Sequence, residues 1–199
     1  MSVADKLTTV AENVEKVYDA GKQAEYDRFW DNYQTAGETN GFDYAFAGIV
    51  WTDELYKPIR DIDARKSSYS IYYGTHLTDT KVKIILGASG RDPFYNAYGL
   101  EIIREVELTK DVTFGNAPFR NTSKLKHITF SGEGKIISDV SFQWSPLTHD
   151  SLISIINALK DYSADTSGTT HTLTLGSENV TKLSEAELKI INDKGWQYT

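Results

Sequence analysis

Ile103-Arg-Glu-Val-Glu-Leu-Thr-Lys-Asp-Val112 and Phe119-Arg-Asn-Thr-Ser-Lys-Leu-Lys-His-Ile-Thr-Phe130 run through one pattern twice. In each pass an apolar residue, Ile103 or Leu125, stands three positions ahead of an alternating apolar pair, Val106/Leu108 or Ile128/Phe130. That spacing reads as a turn entering a short strand whose alternate side chains are buried. The two pairs lie about 22 positions apart, inside the roughly 20–29 residues of a leucine-rich repeat. One such unit cannot bury its own apolar side and needs neighbours stacked above and below. The expected fold is therefore an α/β repeat: a leucine-rich-repeat-like solenoid with one strand per coil, helices in the C-terminal coils, and an N-terminal α-helix.

Working outward, strands are expected at Ile59–Ile62, Val82–Ile85, Val106–Leu108, Ile128–Phe130, Val140–Phe142, Leu173–Leu175 and Trp196–Tyr198. The short step from Ile128 to Val140, with Gly132-Glu-Gly134 between, fits either a shortened coil or a hairpin. Leu152, Ile153, Ile155, Ile156 and Leu159 make a helical stripe. Ser184 with Glu187 makes a capping box for a last helix ending near Gly195. At the amino end, residues 4 to about 34 read as one helix, with Leu7, Val10, Val14, Val17, Gly21 and Ala24 spaced by threes and fours. Such a seam serves a short parallel coiled coil or a single amphipathic helix lying on its own domain, and both stay open. Tyr26, Phe29, Trp30 and Tyr33 form an aromatic face that should be buried, over the open amino end of the repeats. Gly37 to Gly41 is a turn cluster, so the chain divides into residues 1–36, a helix with coiled-coil character, and 37–199, the solenoid with its C-terminal cap.

The repeat resembles the bacterial surface-antigen (BspA-like) leucine-rich repeats, whose unit reads Phe-x-x-Cys-x-x-Leu-x-x-Ile-x-Ile-Pro-x-x-Val. Phe119, Leu125, Ile128 and Phe130 occupy its apolar positions, Thr122 stands at its cysteine and Thr109 at its proline; Tyr44-Ala-Phe-Ala-Gly48 resembles its aromatic corner. The ends Leu7-Thr-Thr-Val-Ala-Glu-Asn-Val14, Ser141-Phe-Gln-Trp-Ser-Pro-Leu-Thr148 and Gly195-Trp-Gln-Tyr198 are similar to those of repeat proteins encoded in phages and prophages of gut Firmicutes. The resemblance implies a virion-associated or prophage structural context, as a structural or adhesion component, and no activity.

The net charge of −7 is uneven: residues 1–65 carry 13 acids against 7 bases, and 66–199 carry 15 against 14. Without a Lys/Arg cluster the chain is a poor ligand for nucleic acid, whose affinity comes mainly from phosphate neutralisation. The absence of cysteine removes disulfides and thiol chemistry. The opening Met-Ser-Val-Ala-Asp-Lys lacks the pattern of a secretory signal, and no apolar run is long enough to span a bilayer. The chain is expected to be cytoplasmic when synthesised, with no membrane partner.

No catalytic signature stands out. His76, His127, His149 and His171 lack ligand spacing, and the glycine turns at Gly87–Gly90 and Gly132–Gly134 lack the phosphate-loop spacing. The acids Asp61/Asp63 and Glu101/Glu105/Glu107 read as a solvated face rather than a glycosidase pair. Neither metal nor cofactor is expected. The function expected is non-enzymatic binding of a protein or surface glycan, through residues that alternate with the buried set: Glu105, Glu107, His127, Thr129, Ser141 and Gln143. A homo-oligomer through Leu7, Val10, Val14, Val17 and Ala24 would multiply weak contacts. The rival expectations are a carbohydrate-active enzyme and a monomeric cytoplasmic adaptor.

Overall fold

Strands β1 (Ile62–Asp63), β2 (Lys83–Leu86), β3 (Ile102–Leu108) and β4 (His127–Ser131) lie side by side in chain order in one parallel sheet. They come from a computed structural model that describes residues 3–47, 51–66, 69–87 and 92–199. Ile62 sits opposite Ile84 and Ile84 opposite Val106, so the step of about 22 residues in the sequence is a physical register. The next step departs from it. The spacing placed Val106 level with Ile128, but the pairing is Ile103 with Ile128 and Val106 with Phe130, with a register shift between them. The longer connection from β3 to β4 is absorbed by this irregularity, which leaves Ile128 buried and His127 and Thr129 exposed.

A second parallel sheet holds β5 (Val140–Ser141), β6 (His171–Thr174) and β7 (Trp196–Tyr198). Here β5 pairs with β6 and not with β4, so Gly132–Gly134 forms no hairpin. Gly132 has φ 89°, and a Cβ on Gly134 would lie 2.0 Å from the Lys110 carbonyl oxygen. The chain runs directly against the backbone of the preceding pass, which only glycine permits. Outside both sheets, the bridges Val112–Ile136 and Ile136–Leu159 continue the parallel stacking from pass to pass. The expected first strand shrinks to Ile62–Asp63, with Ile59 exposed, and the sixth begins earlier, at His171.

Three helices follow β5: α2 (His149–Ala158), α3 (Ser177–Val180) and α4 (Glu185–Asp193). The α2 stripe buries Leu152, Ile155 and Ile156. At α4 the Ser184 hydroxyl accepts from the Glu187 N–H while the Glu187 carboxylate accepts from the Ser184 N–H, the reciprocal box the sequence predicts.

Inside the passes the rings stack. Phe46, Tyr72, Phe94, Phe119 and Phe142 form a continuous buried row, with neighbouring centroids 5.2, 6.0, 5.4 and 4.3 Å apart. Offset aromatic contacts of this kind add to the area they bury. Thr122 is fully buried; its hydroxyl lies 2.7 Å from the Phe119 carbonyl and 2.7 Å from the Ser145 hydroxyl of the next pass.

Outside, aspartates tie each pass to its successor. Carboxylates of Asp43, Asp53, Asp61, Asp92, Asp111 and Asp139 accept backbone N–H bonds from Tyr69, Thr78, Lys83, Ala117, Lys135 and Thr172. An ionised carboxylate accepts such bonds better than a neutral one. Asp111, which also meets Lys160 Nζ at 2.9 Å, is held below the ordinary Asp range, chiefly by that ammonium. A lowered folded pKa gives stability that is present above the unfolded value, about 3.9, and lost as pH falls through the folded one. Urea midpoints should therefore drop between about pH 5 and 3, and Asp111→Asn should flatten that slope. An unchanged slope in Asp111→Asn would show the tie contributes nothing.

Helix α1 (Val3–Asn40) is longer than the sequence indicated, running through Gly37 to end at Gly41, φ 99°. Gly37 belongs inside it because the Phe42 ring packs against the glycine, with a built Cβ only 2.1 Å from that ring. The aromatic face is only half buried. Trp30 is 1% exposed and Tyr33 is partly covered, whereas Tyr26 and Phe29 are 41% and 49% exposed. Among the described side chains of the helix, those before Trp30 are all exposed, although Phe29 still lies 6.4 Å from Trp51 and Lys57 Nζ sits 4.9 Å over the Tyr26 ring. Gln34, fully buried, completes the docking by donating to the Arg60 carbonyl and accepting from the Ile59 N–H.

Candidate functional site

Six residues were expected to form one outward face, and the structure divides them between its two sheets. On β3, Glu107 pairs with Lys83 at 2.5 Å, and Lys83 also approaches Asp61 at 3.7 Å. Glu105 accepts from the Ser131 hydroxyl at 2.5 Å. These acids are half-buried and engaged across neighbouring strands. Their charges are balanced locally: Lys83 is raised above its usual pKa by Glu107. His127 and Thr129, on β4, are exposed beside them.

Ser141 and Gln143 lie elsewhere, at the start of the second sheet. There they meet residues from an earlier pass. Asn116, Ala117, Arg120, Ser141, Gln143 and Trp144 line a depression of 330 Å³. It adjoins a groove of 750 Å³ that shares Asn116 and Ser141 and runs on to His171, Thr172 and Thr174. Both volumes fall in the range of small-ligand sites. Trp144 is 56% exposed, the most open tryptophan or phenylalanine side chain among the described residues. The Ser141 hydroxyl is buried at the join without a hydrogen-bond partner.

The loop carrying Asn116 is held from two sides. Asp92 accepts from the Ala117 N–H at 2.9 Å, and the Ser138 hydroxyl accepts from the Phe114 N–H at 2.9 Å. Gly115 passes so near Asp92 that a Cβ would fall 2.5 Å from its carboxylate. At the far end His171 stacks on Tyr162 at 4.3 Å, with Trp196 at 5.2 Å. Its Nδ1 lies 3.7 Å from Asp139, whose carboxylate accepts from the Thr172 N–H.

Asn116, Arg120 and Trp144 were not singled out from the sequence, and His171 was weighed there only as a metal ligand. A signal for Trp144 was present. Two residues beyond Tyr72, Phe94 and Phe119 stand Gly74, Asn96 and Asn121, all with positive φ; two beyond Phe142 stands Trp144 instead. A bulky aromatic at a corner otherwise given to glycine and asparagine is not needed by the turn.

For the oligomerisation seam, Val14 and Val17 are 63% and 73% exposed and Ala24 is exposed. The side chains of Leu7 and Val10 lie outside the described residues. At about 3.6 residues per turn, the seam lies half a turn from Trp30, Gln34 and Gly37, which face the body.

Among the described residues no cluster of three or more His, Asp or Glu is placed to hold a metal ion, and no helix is long and apolar enough to cross a membrane. Comparison with protein-family descriptions, curated proteins and solved structures finds no match to this chain.

Proposed function

We propose that the chain is a non-enzymatic recognition protein: a BspA-like leucine-rich-repeat solenoid that binds a protein or glycan and is multiplied by self-association through α1. A phage- or prophage-associated adhesion role follows from the resemblance of its ends. The observation that carries the reading is the exposed valine seam on the side of α1 turned away from the body. The described side chains from Asn13 to Phe29 are all exposed, with Tyr26 and Phe29 meeting Lys57 and Trp51 from outside the core. A helical stretch with so little packing is poorly stable in water by itself, and β-branched side chains on one stripe are suited to a coiled-coil partner. Assembly would set several binding surfaces side by side and raise avidity without new contacts.

The carbohydrate-active enzyme finds less support. Such a reaction needs a carboxylic acid with a raised pKa beside a second carboxylate. Asp63, Asp111 and Glu187 are instead held low, by Arg65, by Lys160 and by the Ser184 backbone N–H respectively.

Light scattering on the full chain tests the reading. The wild type is expected to be an oligomer, and Val14→Glu with Val17→Glu a folded monomer. Truncation near Thr39 would be a poor test, since it would strip Trp30 and Gln34 from the body. A monomeric wild type at tens of micromolar would remove self-association from the proposal.

A further inference from the structure

We infer that the groove from Trp144 to His171 binds a neutral oligosaccharide, with one pyranose ring stacked on Trp144. This deepens the binding reading above and rests on it.

The lining sets the chemistry of the ligand. Trp144 offers an open aromatic face, and Arg120, Gln143 and Asn116 surround it with a guanidinium and two amides. A pyranose matches this arrangement: its ring face carries C–H groups and its rim carries hydroxyls that both donate and accept. Amides do both as well. Beyond Ser141 the groove continues past the hydroxyl-bearing Thr172 and Thr174, which suit the next sugar rather than an apolar chain. The two depressions share a wall, so the ligand is longer than one ring.

Other ligand classes fit less well. A peptide adding as a strand would need an open edge, and β5 is only Val140–Ser141. A protein surface would need about 800 Å² on each partner, whereas these are narrow concavities. For an anion, Arg120 is the one cationic side chain lining either depression, and Asp139 lines the other.

The site is also rigid before any ligand arrives. Asp92 and Ser138 hold the Asn116 loop, Asp139 ties β5 to β6, and Tyr162 and Trp196 fix the His171 ring. Walls that are already ordered lose little freedom on binding.

The test uses the full chain on an array printed with cello-, xylo-, malto- and mannohexaose, followed by calorimetric titration of any hit. Binding of at least one hexasaccharide is expected, with affinity reduced about tenfold or more by Trp144→Ala, a loss of roughly 1.4 kcal/mol. Asn116→Ala should weaken it too, while Glu185→Ala, exposed on α4 and outside both depressions, should leave it within about twofold. A blank array overturns the inference, as does binding that Trp144→Ala leaves unchanged or that Glu185→Ala abolishes. These failures are separate from that of self-association, which light scattering reads without any ligand. Recovery of shortened sugars would keep the glycan site and overturn the non-enzymatic reading.

Discussion

Phe119→Ala is expected to cost about 3–5 kcal/mol of unfolding free energy, measured by urea denaturation followed through far-UV circular dichroism. Phe119 is fully buried at the middle of the aromatic row, between Phe94 at 5.4 Å and Phe142 at 4.3 Å, with Phe114 and Phe130 against its edges. Truncation removes the transfer energy of the ring and leaves a cavity that neighbours pinned by parallel pairing cannot close. Phe119→Leu should cost clearly less, because most of the volume remains. A loss below about 1 kcal/mol for the alanine variant would mean that the passes slide to fill the gap, and the row would not be the spine of the core.

Trp30→Ala is expected to cost a similar amount, about 3–5 kcal/mol, but at one end of the molecule. Trp30 is 1% exposed and packs on Trp51, Tyr56 and Phe46 at 5.1, 5.5 and 6.3 Å. It is the main apolar side chain that α1 commits to the body. In a fold whose passes contact mainly their neighbours, damage at one end stays near that end. Hydrogen exchange should show lost protection at residues 30–46 and at β1, while β5, β6 and β7 keep theirs. Uniform loss across both sheets would show a single cooperative unit instead.

Much of the local structure was legible in the sequence because burial in a strand alternates with a strict period. Val106 and Leu108 are buried and alternate with the half-exposed Glu105 and Glu107, as their order demanded. The Ser184 box is equally local, since its partners are one helical turn apart. The outward residues of β3 were identified correctly as to face. Their engagement was not, because Lys83 and Ser131 reach them from other strands.

The candidate groove was hidden for a related reason. Asn116 and Arg120 lie in one pass, Gln143 and Trp144 in the next, and His171 beyond a helix, so no window of chain holds the set. Their meeting depends on where the first sheet stops and the second begins, and that depends on which strand β5 chooses. It chooses β6.

By itself, then, the sequence determined the mixed α/β class, the amino-terminal helix, the positions of most strands and the step of about 22 residues between the first of them. Those are set by short-range periodicity and capping, which any chain of this order must satisfy. Only the tertiary structure decided the register shift at β4, the split into two sheets, the half-exposed aromatic face of α1 and the groove beneath Trp144. Each turns on contacts between residues far apart in the chain, where packing volume and backbone approach, not local preference, select the partner.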